Sequence, residues 1–333
     1  MSTANLSTDI LKAVSRSFYL TLRLLPSEFR GPLSLGYLLA RLSDTIADAG
    51  ALDVAHREEY LRRFCSVMGG SVPAGQQMDF SSSLQKSMAD AGISEGEREL
   101  VRCSGHCFAW LDSMEKTRAD AIRRVVGIIT EGQAWDLRRF RGEGVVSLGE
   151  DKELETYAYQ VAGSVGEFWT EIGLICDQRF SRYEEGELRV LGANYGKGLQ
   201  LVNILRDIPE DLERGRCYLP GVDPGDPAGI MASLPRWHQR AREFLADGIK
   251  YAASLRGTRV RVSTGLPAVL GFRTLDRLEQ ASWEDLQKGV KITRGTVRQS
   301  LVSALARSAW WLPGSWKGFL HEVEPQPNPD TAA

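Results

Sequence analysis

The sequence predicts an all-α fold, and three observations carry that prediction. Apolar residues recur at helical spacing along most of the chain, the alternation of half-buried strands is nearly absent, and no repeat of solenoid length appears. With 43% hydrophobic and 25% charged residues, the 333-residue chain has ample material for a large core and does not have the composition of a disordered protein. Lys and Arg number 41 against 43 Asp and Glu, and a net charge of -2 argues against a general nucleic-acid binder that relies on counterion release. Five cysteines at 65, 103, 107, 176 and 217 follow no disulfide framework and read as reduced thiols. The first 15 residues lack the basic start and apolar run of a secretory leader, and no window has the length and hydropathy of a membrane span. The expected location is therefore cytoplasmic, with peripheral contact on the cytoplasmic face of a membrane.

The elements follow in order. Ser15-Arg16-Ser17-Phe18 opens the first helical pattern with a serine cap and an arginine suited to an anion. Helices are expected over 31–49, 53–68, 94–114, 118–140, 151–177, 183–214, 234–255 and 266–287. Gly50, Gly69-Gly70 with Pro73, and the run Pro220-Gly221, Pro224-Gly225 and Pro227 supply the turns. These read as loops rather than linkers, so residues 1–320 are expected to form a single helical domain around a central hydrophobic cavity. Residues 321–333, with Pro325, Pro327 and Pro329, are expected to be a disordered tail.

Two stretches carry unusual chemistry. Tyr37, Arg41, Asp44 and Asp48 are spaced by four, three and four, which places them on one face of a helix whose other faces hold Leu35, Leu38, Leu39, Leu42 and Ile46. Alone, such a stripe is most simply a solvated face with an Arg41 to Asp44 ion pair. A second stripe, Gln200, Asn203, Asp207 and Asp211, lies 163 positions further on, also between apolar neighbours. If the two helices face one another, four carboxylates and an amide converge, and their repulsion calls for divalent cations. Oxygen-only ligands at an open site suit Mg²⁺, which shares its shell with phosphate oxygens and so points to a diphosphate substrate. Small residues at 162, 163 and 166 permit a close helix approach or leave room for a ligand. The loop-like run from Gly192 to Gly198 lacks P-loop spacing, and Cys103 to Cys107 has no second ligand pair for zinc.

Together, Ser15-Arg16-Ser17-Phe18, Tyr37-x-x-x-Arg41-x-x-Asp44-x-x-x-Asp48, Tyr157-x-x-x-Val161-Ala162-Gly163-x-Val165-Gly166 and Asn203-Ile-Leu-Arg206-Asp207-x-x-Glu210-Asp211 resemble the signatures of the squalene/phytoene synthase family, in order and across residues 15 to about 300. The resemblance implies the all-α isoprenoid-synthase fold, with the aspartate motifs on opposing walls of a hydrophobic cavity. It implies that Asp44, Asp48, Asp207 and Asp211, with Asn203, hold the Mg²⁺ cofactor. Tyr157, Arg41 and Tyr37 then take catalytic roles, and Ser15, Arg16, Ser17, Phe18, Gln200, Arg206 and Arg216 bind substrate.

The segment from Arg214 to Pro220 is similar to the phytoene synthase form, whereas Leu266-Pro267 and Gly289 to Gly295 resemble the squalene synthase form, with departures at Val262 and Thr293. In that last segment Lys291 and Arg294 flank a Gly295 turn and are assigned to the phosphates of NADPH. The implied activity joins two farnesyl diphosphates into presqualene diphosphate and reduces it to squalene, in a monomer that touches membranes peripherally and binds no nucleic acid. Phytoene or dehydrosqualene synthesis, a stop at presqualene diphosphate, and a non-catalytic isoprenoid-binding protein are the alternatives.

Overall fold

Helices account for nearly all regular structure in the computed structural model, which describes residues 6–15, 18–70, 72–142, 144–292 and 295. A π-helical turn, Leu6–Ile10, runs into α1 (Leu11–Val14), followed by α2 (Phe18–Leu24) and α3 (Ser27–Ala47). The long α3 is buried along Leu35, Leu38, Leu39, Leu42 and Ile46, as its apolar spacing predicts. Next come α4 (Val54–Met68), capped by the Asp53 side chain, and α5 (Ala74–Ser87). A Ser94/Glu97 capping box opens α6 (Glu95–Arg102), which is followed by α7 (Ser104–Ser113) and α8 (Lys116–Arg139). Further along, α9 (Asp151–Ala158) passes through a π-helical segment, Tyr159–Gly163, into α10 (Ser164–Cys176). The remaining helices are α11 (Glu185–Glu213), α12 (Pro227–Ser254), α13 (Thr258–Leu278) and α14 (Trp283–Lys288). One short parallel pairing, β1 (Val146–Ser147) with β2 (Arg216–Cys217), ties the loop before α9 to the segment after α11.

Several expected boundaries move, each for a local reason. The helix expected over 94–114 is two helices, because the chain turns at Cys103. The one expected over 151–177 is interrupted by the π segment. Pro227, read as a turn residue, instead starts α12 behind Asp226: Asp226 accepts from Ala228 N at 3.0 Å, and proline is well suited to a first helical position. The helix expected over 266–287 begins earlier, at Thr258, ends at Leu278, and gives way to α14 behind a Ser282/Asp285 capping box. Helix α5 has no counterpart among the expected helices, because its Gln- and Ser-rich sequence has a weak apolar stripe; Phe80 and Leu84 anchor it nonetheless. The tail at 321–333 lies outside the described residues.

The packing that matters most is the crossing of α10 and its π segment over α11. A Cβ added at Gly166 would stand 1.8 Å from Gly192 O, and one at Gly196 would stand 2.1 Å from Ala162 O, so backbone meets backbone. Beside this contact lies an apolar cavity of about 180 Å³. Its walls include Val161, Val165 and Trp169 on one side, Tyr195 and Leu199 on α11, and Tyr251 of α12. Val262 is buried in the core and is not among the cavity residues. Among the described residues no helix is long and apolar enough to cross a membrane.

The crossing gives a stability prediction. Gly166→Ala should lower stability by at least about 2 kcal/mol, since overpacking is typically penalised on that scale. Gly186→Ala in the first turn of α11 meets no atom within 4 Å and should be neutral or stabilising. Thermal unfolding of the two variants side by side checks this, and equal midpoints would contradict it.

Candidate active site

Helix α3 delivers the first acidic pair. Arg41 forks between two carboxylates, its Nη1 donating to Asp44 Oδ2 at 2.5 Å and its Nη2 to Glu97 Oε1 of α6 at 2.7 Å. Asp44 keeps 40% of its side chain accessible, yet its pKa is pushed up to about 6, first by desolvation among the surrounding protein and then by repulsion from Asp48. Asp48 sits at the C-terminal end of α3. Nearby, Arg57 donates to Ala47 O at 2.9 Å and lies in the combined field of Arg216, Asp48 and Asp136. Tyr37 donates to Val14 O at 3.3 Å beside Ser15, and burial raises its pKa.

Helix α11 delivers the second pair from the far end of the stripe that lines the cavity. Leu199, Asn203, Asp207 and Asp211 follow at four-residue steps, so the cavity wall and the last acid lie roughly 18 Å apart along one face. Arg206 grips the adjacent Asp207 with two hydrogen bonds, Nε to Oδ1 at 2.7 Å and Nη2 to Oδ2 at 2.5 Å. Asp211 is pushed up to about 7 by burial, against the opposing pull of Arg216 and with further repulsion from Asp207 and Asp136. Gln200 is half-buried and Asn203 exposed.

Between the pairs stands a group that sequence reasoning did not single out. Asp136 of α8, 4% exposed, accepts from Tyr218 Oη at 2.5 Å and pairs with Arg216 Nη1 at 3.1 Å. Arg216 is within electrostatic reach of Asp48 on one side and Asp211 on the other, which links the two motifs. Tyr157 stacks on Tyr218 at 5.0 Å, their hydroxyls 3.4 Å apart, and Trp135 and Phe140 extend this aromatic column at 5.7 and 5.1 Å. Burial and the nearby Asp136 charge raise the Tyr157 pKa well above the ordinary tyrosine value, so its phenol stays protonated. One sequence signal for Asp136 existed: it shares a buried stripe of α8 with Ile129 and Gln133, a charge at a core position. Tyr218 lies within the Arg214 to Pro220 segment, Glu97 shows in sequence only as the end of a Ser94-x-x-Glu97 helix start, and Arg57 carries no signal of its own.

The described residues include no group of three or more His, Cys, Asp or Glu side chains placed to hold a metal ion. The four aspartates stand instead as two pairs, Asp44 held by Arg41 and Asp207 by Arg206. Their chemistry still suits a hard cation: every donor is an oxygen, and Asp44 and Asp211 are both under-neutralised. Lys291 is exposed, and its carbonyl accepts from Arg277 Nη1 at 2.5 Å, so two cations share that turn. Phe18 opens α2, whereas Arg16, Ser17, Thr293 and Arg294 lie outside the described residues.

An all-helical chain with two acidic helix stripes bridged by arginine, continuous with an apolar cavity, defines a class shared by other proteins. The chain belongs to the squalene/phytoene synthase family, whose family model matches residues 11–296. A probable squalene synthase of Neurospora crassa is 27% identical over 307 residues, covering 88% of this chain and 60% of that protein. A phytoene synthase of Thermus thermophilus is 28% identical over 291 residues, covering 83% of each. The chain thus spans about three-fifths of the fungal relative's length. A solved squalene synthase, TcSQS bound to BPH1237, shares the fold with a TM-score of 0.73 at 21% identity, covering 98% of this chain and 93% of that one. The family is one of head-to-head, prenyltransferase-type synthases.

Asp136→Ala should destabilise the protein by about 3 kcal/mol, because it removes the salt-bridge partner of a largely buried guanidinium. A urea unfolding midpoint unchanged from that of the parent chain would show that Arg216 finds compensation elsewhere.

Proposed function

We propose that this protein condenses two farnesyl diphosphates head to head into presqualene diphosphate and reduces that intermediate to squalene with NADPH. The observation that carries the reading is the continuity of α11: one helical stripe passes from the apolar cavity wall at Leu199 to the acids at Asp207 and Asp211. A substrate with a long apolar chain and an anionic head matches that sequence of surfaces.

In this reading Arg41, Arg206 and Arg216 bind diphosphate oxygens, and Asp44, Asp48, Asp207 and Asp211 with Asn203 would hold Mg²⁺. Bound Mg²⁺ would neutralise charge developing on the leaving diphosphate. The apolar cavity keeps water from an allylic cation that it would otherwise quench to an alcohol. Tyr157, protonated and stacked in its aromatic column, offers ring electron density to cationic charge. Lys291, with Arg294, would hold the NADPH phosphates, and NADPH supplies the hydride. Peripheral, reversible contact with a membrane fits so apolar a product.

A second reading is favoured by the segment after α11, where Arg216, Tyr218 and the following Leu219-Pro220 follow the phytoene synthase form. In it the product is phytoene or dehydrosqualene, or the reaction stops at presqualene diphosphate. Purified enzyme given farnesyl diphosphate and, in a parallel reaction, geranylgeranyl diphosphate, each with Mg²⁺ and with or without NADPH, separates these by product mass. Squalene formed only with NADPH supports the leading reading, and presqualene diphosphate persisting with NADPH present points to the second. Asp44→Ala and Asp207→Ala should each reduce turnover to background while circular dichroism remains helical, since each removes a ligand and not a core contact. Near-normal activity of either variant at limiting Mg²⁺ would contradict the assignment.

A further inference from the structure

Arg41 is shared between Asp44 and Glu97, and Glu97 is held from the other side. Glu97 Oε2 accepts from Ser94 N at 2.9 Å and from Ser94 Oγ at 2.7 Å, completing the capping box that opens α6. Its Oε1 is left for Arg41 Nη2 at 2.7 Å, and only 17% of the side chain is exposed. The start of α6 is fixed as well: a Cβ on the neighbouring Gly96 would stand 2.9 Å from Ala13 O, one residue before the carbonyl of Val14 that Tyr37 engages. Glu97 therefore presents its free oxygen from a backbone that cannot easily move.

We propose that Glu97 is a positioning residue that gives Arg41 a second fixed partner and thereby sets how readily Asp44 exchanges Arg41 for a divalent cation. The inference rests on the reading of Asp44 as a metal ligand. With Glu97 in place, Arg41 can swing its charge away from Asp44 and remain paired. Without it, Asp44 is the one carboxylate left in hydrogen-bond contact with Arg41, and a cation must compete with an arginine committed more fully to that aspartate. Glu97 supplies the alternative partner at a cost the protein already meets for a helix cap.

The capping box makes the test clean, because glutamine at the same position preserves the cap while removing the charge. Aspartate also serves in that role, as Ser282 and Asp285 demonstrate in this chain, but its shorter side chain would not reach Arg41. Mn²⁺ is titrated into the full chain without added diphosphate, so that no other anion takes up Arg41, and bound metal is read by electron paramagnetic resonance. Glu97→Gln and Glu97→Asp should each raise the Mn²⁺ midpoint about five-fold, the scale of one partly exposed ion pair. Ser94→Ala, which weakens the cap but keeps Glu97, should lower the thermal midpoint and leave the Mn²⁺ midpoint in place. An unshifted Glu97→Gln midpoint overturns the inference. A wild-type midpoint for Glu97→Asp also overturns it, because charge alone would then suffice. If Asp44→Asn titrates as wild type, Asp44 is not a ligand and the underlying reading fails. If Asp44→Asn weakens Mn²⁺ binding but the Glu97 variants do not, only the role of Glu97 fails.

Discussion

The contact on which the rest of the architecture depends is the one with no side chains in it. Where Gly166 meets Gly192 and Ala162 meets Gly196, the π segment and α10 lie against α11 backbone to backbone. Helices normally pack with a layer of side chains between their axes. Removing that layer fixes both the separation and the lengthwise position of α11, because a glycine must meet each carbonyl. As α11 continues to Asp207 and Asp211, the placement of the second acidic pair is inherited from this crossing. The cavity is its complement: small residues take up the contact, so the larger Trp169, Leu199 and Tyr251 stand around space that they do not fill.

A second constraint is charge. Helices buried along most of their surface carry carboxylates that are only partly hydrated, and each needs a counter-charge. Arg41 answers Asp44, Arg206 answers Asp207, and Arg216 is held by Asp136 between the two motifs. The balance is incomplete: burial and neighbouring carboxylates push the Asp44 and Asp211 carboxyls above the ordinary range. A site left slightly too negative, with arginines that have alternative partners, is prepared for a ligand that brings cations and anionic oxygens together.

The sequence made the helical class, the family and the two acidic stripes legible, because each is written in local periodicity: the aspartates repeat at four residues and the stripe occurs twice. Helix α5 escaped because its Gln and Ser residues dilute the apolar period, and the start of α12 escaped because Pro227, following Pro224-Gly225, reads equally as a turn residue or as a first helical position. Asp136, Tyr218, Glu97 and Arg57 come from separate elements, and only tertiary packing brings them to the aspartates. Asp136 alone left a trace, a charged side chain on a stripe that spacing assigns to the core. The pairing of β1 with β2 was illegible for a similar reason, as two residues on each side carry no period.

The π-helical segment Tyr159–Gly163 has a consequence for how this chain tolerates insertion and deletion. An α-helix advances about 100° per residue, so a segment holding one extra residue rotates everything before it relative to everything after it by roughly that angle. Tyr157 on one side and the Gly166 contact on the other are both oriented toward their partners only because the extra residue is there. Losing a single residue between them would restore a regular helix and keep its length almost unchanged, yet turn the tyrosine about a quarter of a revolution away from Tyr218. Chain length is thus phase-locked between residues 157 and 166.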